Sequence, residues 1–242
     1  MKQNIYDDPR FFEGYSQLRR HESGLNATVD QPAMRSLLPT LANKRVLDLG
    51  CGFGKMCRFA IDEGAASVVA VDISTKMLAK AREDTADARI GYMQSALEDL
   101  DFAPASFDVV VSSLAIHYVE DYDSICGNVK SWLVGGGAFV FSVEHPMVTA
   151  YPVGQYLAEK REGQHWEIDN YKFEGIRHTQ WITDDVIKYH RSVETYVNTL
   201  IDKGFTIARL IEPEATEDEI RKRPELREES RRPTFMMLSA RA

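Results

Sequence analysis

No stretch of about eighteen consecutive apolar residues occurs in this chain, so no membrane-spanning helix is expected. Its first residues, Met1-Lys-Gln-Asn-Ile-Tyr-Asp-Asp8, are too polar for a secretory leader, and a cytoplasmic protein is the expectation. Cysteine is scarce. Cys51, Cys57 and Cys126 make neither an even disulfide set nor a ligand cluster, and each reads as a small buried hydrophobe. No His-x-x-x-His or Cys-x-x-Cys pair appears, so no metal site is expected, although His145, His165, His178 and His190 fall in one region. Positive charge is also in deficit, with 29 Lys and Arg against 37 Asp and Glu and a net charge of −8. That balance argues against a nucleic-acid partner, while leaving room for a local basic patch.

What is present is the make-up of one globular enzyme domain: 242 residues, 44% hydrophobic and 27% charged. The chain is organised around Arg45-Val-Leu-Asp-Leu-Gly-Cys-Gly-Phe-Gly54. Val46, Leu47 and Leu49 read as a buried parallel strand, and three closely spaced glycines then let a tight turn enter a helix. Without Cβ atoms, Gly50, Gly52 and Gly54 allow a ligand to lie against the backbone. A second apolar run, Val68-Val-Ala-Val71, ends in Asp72. A carboxylate at the tip of a second strand can accept both hydroxyl protons of a ribose lying over the glycine turn. The spacing excludes a dinucleotide fingerprint, because the third glycine of G-x-G-x-x-G falls on Lys55.

The G-x-G-x-G pattern of Asp48-Leu-Gly-Cys-Gly-Phe-Gly54, with Val71-Asp72-Ile-Ser74, Phe107-Asp-Val-Val-Val-Ser-Ser113, Gly135-Gly-Gly137 before Ala138-Phe-Val-Phe141, and Arg232-Pro-Thr-Phe235, resembles the class I S-adenosylmethionine-dependent methyltransferases of the small-molecule, methyltransferase type 11-like kind. The resemblance covers residues 43–144 and 191–242. It implies S-adenosyl-L-methionine as cofactor, held by Asp48, Gly50, Cys51, Gly52, Gly54, Asp72, Ile73, Met77, Ser95, Ala96, Ser112 and Leu114. Ser95 stands where relatives usually carry an aspartate for the adenine amino group; its uncharged hydroxyl should make a bond weaker by about 1 kcal/mol. Related enzymes also use an N-terminal helix as a lid, which makes Tyr15, Arg19 and Arg20 candidates to reach the methionine carboxylate. A plain surface helix is the alternative.

Hydrophobic spacing predicts helices over 9–42, Lys55 to Glu63, from Ser74, from Tyr122 to Leu133 and from Val193 to Gly204. Strands are predicted at 89–94, 107–113, 138–143, 205–211 and 234–240. The expected fold is α/β and Rossmann-like: a doubly wound, mostly parallel seven-stranded sheet with one antiparallel strand and helices on both faces. It forms a single domain, with a helical lid at 1–42, a core at 43–144 and 191–242, and an insertion after the fifth strand at 145–190.

That insertion is rich in aromatic residues and reads as a cap that binds the acceptor through Tyr151, Trp166 and Tyr171, together with His117, Tyr118 and His145. Methyl transfer by in-line displacement needs the nucleophile at roughly 3 Å from the methyl. His117 and His145, each after the end of a central strand, are candidate general bases. The leading expectation is a methyltransferase for a small-molecule acceptor. An RNA or protein methyltransferase and a non-methylating S-adenosylmethionine-binding module are the alternatives. The acceptor, the methylated atom and the oligomeric state stay open.

Overall fold

The computed structural model describes residues 2–20, 24–150 and 168–242. Seven strands form the central sheet: β1 (Arg45–Leu49), β2 (Ser67–Asp72), β3 (Ile90–Gln94), β4 (Phe107–Ser113), β5 (Leu133–Glu144), β8 (Thr206–Ile211) and β9 (Phe235–Arg241). Their order is β3-β2-β1-β4-β5-β9-β8, with β9 antiparallel to both neighbours and the other pairs parallel. Helices α3 (Lys55–Asp62), α4 (Thr75–Asp84), α5 (Tyr122–Trp132) and α7 (Val193–Asp202) carry the crossovers. The sheet and its helices have the Rossmann-like arrangement expected from the alternation of elements.

Alternate residues along each strand feed two apolar layers. Leu47, Leu49, Val110, Phe139 and Phe141 pack with Ile125, Tyr196 and Leu200 of α5 and α7. On the other face, Val46, Val140 and Met237 pack with Met56, Cys57, Ala60 and Leu78 of α3 and α4. Val46, Leu47, Asp48 and Leu49 are all buried, which is why this strand reads as a continuous apolar run broken by one acid.

The N-terminal region is less uniform than the helical expectation for 9–42. It holds α1 (Pro9–Arg20), a π-helical turn (Asn26–Asp30) and α2 (Gln31–Leu37). Helix α2 stops at Leu37 because Leu38 precedes Pro39 and takes up extended backbone. The three glycines after α5 do not end that helix. It stops at Trp132, and Gly135–Gly137 bulge out of β5, where the register against β4 jumps from Phe107↔Leu133 to Val109↔Ala138.

After β5 come a short helix, α6 (Pro146–Thr149), and an antiparallel hairpin, β6 (Gly175–Trp181) and β7 (Thr183–His190), that forms a sheet of its own. The last helix, α8 (Glu217–Lys222), opens with a capping box between Thr216 and Glu219. Among the described residues, no helix is long and apolar enough to cross a membrane.

Candidate active site

The site is built at the carboxyl ends of β1, β2, β4 and β5, starting from the turn after β1. Backbone N–H groups of Gly50 and Cys51 donate to the Val71 carbonyl at 2.9 and 2.8 Å, which ties the turn to β2. All three glycines have positive φ, but they serve different ends. A Cβ at Gly50 would lie 2.3 Å from the Ala115 Cβ, so its bareness admits the loop after β4. A Cβ at Gly54 would crowd the Tyr92 hydroxyl at 3.3 Å, whereas a Cβ at Gly52 would meet nothing within 4 Å. Gly52 is the one that faces open space.

Asp72 ends β2 beside that space. Its Oδ2 accepts from Gly52 N at 2.8 Å and its Oδ1 from Ser74 N at 2.9 Å. Burial pushes its carboxyl up to about 6, against the two N–H donors. Asp48 lies deeper, accepting from the Cys57 thiol at 3.1 Å. Burial raises it to about 7; the thiol opposes the shift and the neighbouring Asp72 adds to it. Among the described residues, neither acid has a cationic side chain as partner.

A cavity of about 780 Å³ opens over this turn. Gly50, Gly52, Asp72, Ile73, Met77, Ser95, Ala96, Leu97 and Leu114 line it. Tyr6, Tyr15, His117, Tyr118, Glu120, Glu144, Trp181, Ile187 and Tyr189 also line it, with Tyr15 packed 5.7 Å from the Phe53 ring of the glycine turn. The aromatic wall is knitted by edge contacts, with Tyr6 and Tyr15 at 5.3 Å, Tyr15 and Trp181 at 6.0 Å, and Tyr6 and Tyr118 at 6.0 Å between ring centroids. Two segments, the N-terminal one and the β6–β7 hairpin, close over the sheet. Gln3 joins the N-terminal segment to the hairpin, donating to the Asp185 carbonyl and accepting from Ile187 N. Asp7 anchors the same segment below by accepting from the Ser74 hydroxyl and the Thr75 and Lys76 N–H groups at the start of α4.

Within the same cavity, His117 is buried and its Nδ1 accepts from Glu144 N at 3.4 Å. Burial drives its pKa down to about 4. The ring is therefore neutral at pH 7, and with Nδ1 accepting, the proton sits on Nε2. Glu144 in turn accepts at Oε1 from Lys188 Nζ of β7 at 2.6 Å, with side-chain exposures of 13% and 3%. Burial alone would raise the Glu144 carboxyl, but the Lys188 charge beside it holds it below the usual range.

Of the residues anticipated for the cofactor, Tyr15, Gly50, Gly52, Asp72, Ile73, Met77, Ser95, Ala96 and Leu114 line the cavity. Asp48, Cys51, Gly54 and Ser112 do not. Gly54 packs against α4, and the buried Ser112 hydroxyl donates to the Leu49 carbonyl at 2.8 Å, bracing β4 on β1. Arg19 lies in α1, and its side chain is outside the described residues, as are Tyr151 and Trp166.

His117 and Tyr118 line the cavity, whereas His145 does not. The His145 ring accepts from Met147 N at 3.0 Å to cap α6 and holds Glu212 Oε1 at 2.8 Å, so both nitrogens are engaged away from the cavity. In this structure His145 caps α6. The Tyr171 hydroxyl accepts from Val193 N at 3.1 Å and its ring meets the edge of His190. Sequence reasoning missed Glu144, Trp181, Tyr189, Tyr6 and Lys188. Glu144 had a signal, since it ends the fifth strand one residue before His145. Lys188 had none, because its partner is 44 residues away in the chain.

Comparison with known proteins bears on this geometry. The family described as "Methyltransferase domain" matches residues 47–141. A crystal structure of an S-adenosylmethionine-dependent methyltransferase from Mesorhizobium loti is 43% identical, covering 90% of this chain and all of that one, with a TM-score of 0.83. An uncharacterized protein of Haemophilus influenzae is 34% identical over 99% of this chain and 97% of its own length. A malonyl-[acyl-carrier protein] O-methyltransferase of Enterobacter lignolyticus is 36% identical over 46% of this chain, a match that spans 43% of that enzyme.

Proposed function

The chain belongs to the class I S-adenosylmethionine-dependent methyltransferases and uses S-adenosylmethionine as cofactor; we propose that it transfers the methyl group to a small-molecule acceptor enclosed by the aromatic wall of the cavity. The observation that carries this reading is that one cavity is lined by residues of two chemistries. The open face of Gly52 and the Asp72 carboxylate share it with a cluster of aromatic rings, Tyr6, Tyr15, Tyr118, Trp181 and Tyr189.

The residues present fit the cofactor. Asp72 offers carboxylate oxygens to a pair of ribose hydroxyls, and Gly52 leaves the volume beside it clear. Ile73, Met77 and Leu97 supply apolar surface for a flat base, with the Ser95 hydroxyl and the Ala96 N–H at its edge. The buried Asp72 carboxyl, with no cationic side-chain partner among the described residues, makes the neighbourhood electronegative and suits a ligand that carries positive charge.

When bound, the cofactor supplies a sulfonium methyl that is already electrophilic, so the protein's contribution is positioning and exclusion of water. The N-terminal segment and the hairpin exclude water from above, joined by Gln3. His117, neutral and protonated at Nε2, is a hydrogen-bond donor to the acceptor rather than a base. A small acceptor is favoured over RNA by the acidic residues Glu98, Glu120, Asp121 and Glu144 on the cavity wall, which outnumber Lys2 and Lys55 there and disfavour a polyphosphate backbone. The test is a screen of small molecules against nucleic acids and proteins with methyl-labelled cofactor. Label transferred to a low-molecular-weight product supports this reading, and label found only in macromolecules contradicts it.

A further inference from the structure

We propose that Glu144 determines acceptor specificity by taking a hydrogen bond from the nucleophile itself, and that the acceptor is a primary or secondary amine attacking as the free base. The inference rests on reading the cavity as a methyltransferase site and names the class of molecule that site takes.

Glu144 is the last residue of β5, beside the end of β4, and lines the same cavity as Gly52 and Asp72. Its Oε1 is held by Lys188, and among the described residues no donor reaches Oε2. Lys188 is itself buried, with its ammonium also 5.4 Å from the centre of the Trp181 ring, so its charge is engaged inside the wall. A buried ion pair is a poor way to gain stability, because an apolar pair of the same volume packs as well without desolvating two charges. Here the pair keeps an ionised carboxylate at the strand end where the acceptor would lie.

The neighbouring groups narrow the nucleophile. His117 presents N–H, because Nδ1 already accepts from the backbone of Glu144. Glu144, with Lys188 on Oε1, is a weak base. A hydroxyl, which must lose its proton to become a good nucleophile, finds no effective base in this pair. A carboxylate acceptor beside Glu144 meets Glu120 and Asp121 as well, while Lys188 is paired with Glu144 and Lys2 with Glu98 and Asp99; Lys55 beside the glycine turn and Arg232 are further cations nearby.

An amine that sheds its ammonium proton to solvent before it binds needs neither a base nor a cation in the site. Its N–H donates to Glu144 while its lone pair attacks the methyl carbon. The new C–N bond forms as the C–S bond breaks, and the electron pair of that bond stays on sulfur. The nitrogen gains the positive charge that sulfur loses, which Glu144 stabilises where it appears, and the product leaves as the ammonium ion.

The test uses the full chain loaded with S-adenosylhomocysteine and titrated with benzylamine, benzyl alcohol and benzoate, followed by turnover of each with methyl-labelled cofactor. Binding and N-methylation of the amine alone are expected. Glu144→Gln should raise the KM for the amine at least tenfold while leaving the Kd for the cofactor within twofold. The double variant Glu144→Gln/Lys188→Met removes both charges together and guards against misfolding of a single variant; it should keep the melting temperature and show the same KM. Cofactor binding with no amine bound, a preference for the alcohol or the acid, or a Glu144→Gln variant with unchanged KM overturns the proposal. Failure of the wild type to bind S-adenosylhomocysteine at all would instead overturn the methyltransferase reading beneath it.

Discussion

At the scale of the residue, similar letters in the motif carry different physical tasks. Gly50 is bare because Ala115 stands 2.3 Å from where its Cβ would be, while Gly52 is bare toward open space. The spacing of the glycines was legible in the sequence, but which of them meets a ligand was not, because that depends on a loop more than sixty residues away. Asp48 is a similar case. It sits in the same motif as Gly52, yet it points to Cys57 beneath the turn rather than into the cavity.

The raised pKa of Asp48 makes a prediction about stability. Its folded value, about 7, exceeds the ordinary 3.8, so the native state binds the proton more tightly than the unfolded chain. The stability this lends is complete below about pH 4 and is lost as pH rises through 7. Asp48→Asn removes the ionisation. The variant should melt close to the wild type at pH 4 and increasingly above it as pH rises to 8, by about 1 to 3 kcal/mol or some 5 °C. Thermal melts of both proteins across that range check it, and parallel curves would contradict the burial argument.

At the scale of the element, the strands and crossover helices follow closely from local sequence, because Leu47, Leu49, Phe139 and Phe141 on one face and Val46 and Val140 on the other are fixed by period-two burial. Ser74 and Ser192 cap their helices as their positions before apolar stripes imply. The hairpin β6–β7 was not legible. Its alternation serves two surfaces at once, with Val186, Lys188 and His190 buried and Ile187 and Tyr189 on the cavity. The aromatic composition of 145–190 pointed to a cap, but Trp181 and Tyr189 line the cavity where Tyr171 does not.

The hairpin is docked through its turn. Ile182 has φ of +63°, an outlier for a β-branched residue, and its Cγ2 sits 2.6 Å from where a Cβ on Gly14 of α1 would be. Gly14→Ala sets two effects against each other. Helix propensity gains about 1 kcal/mol, and overpacking against Ile182 costs about 1 to 3. The expected net is a small loss of global stability with a local opening of the hairpin. Hydrogen exchange should show faster exchange at 183–190 with β1 and β4 unchanged. Uniform change across the sheet would mean that the contact belongs to the core.

At the scale of the whole molecule, the sheet supplies one edge on which every part of the account meets. Asp72, Ser113 and Glu144 end β2, β4 and β5, and the N-terminal segment and hairpin close over them. Position along the strands thus predicts which side chains can act together, while their partners come from elements distant in sequence.

The claim on which the rest depends is that the cofactor lies over Gly52 and is held by Asp72. Titration calorimetry of S-adenosylmethionine into the wild type, Asp72→Ala and Asp72→Asn measures it directly, with thermal melts to verify that each variant is folded. One site on the wild type is predicted, with Asp72→Ala weaker by about 2 to 4 kcal/mol, or roughly thirty- to a thousandfold, and Asp72→Asn in between. A folded Asp72→Ala protein that binds the cofactor as tightly as the wild type would contradict the placement.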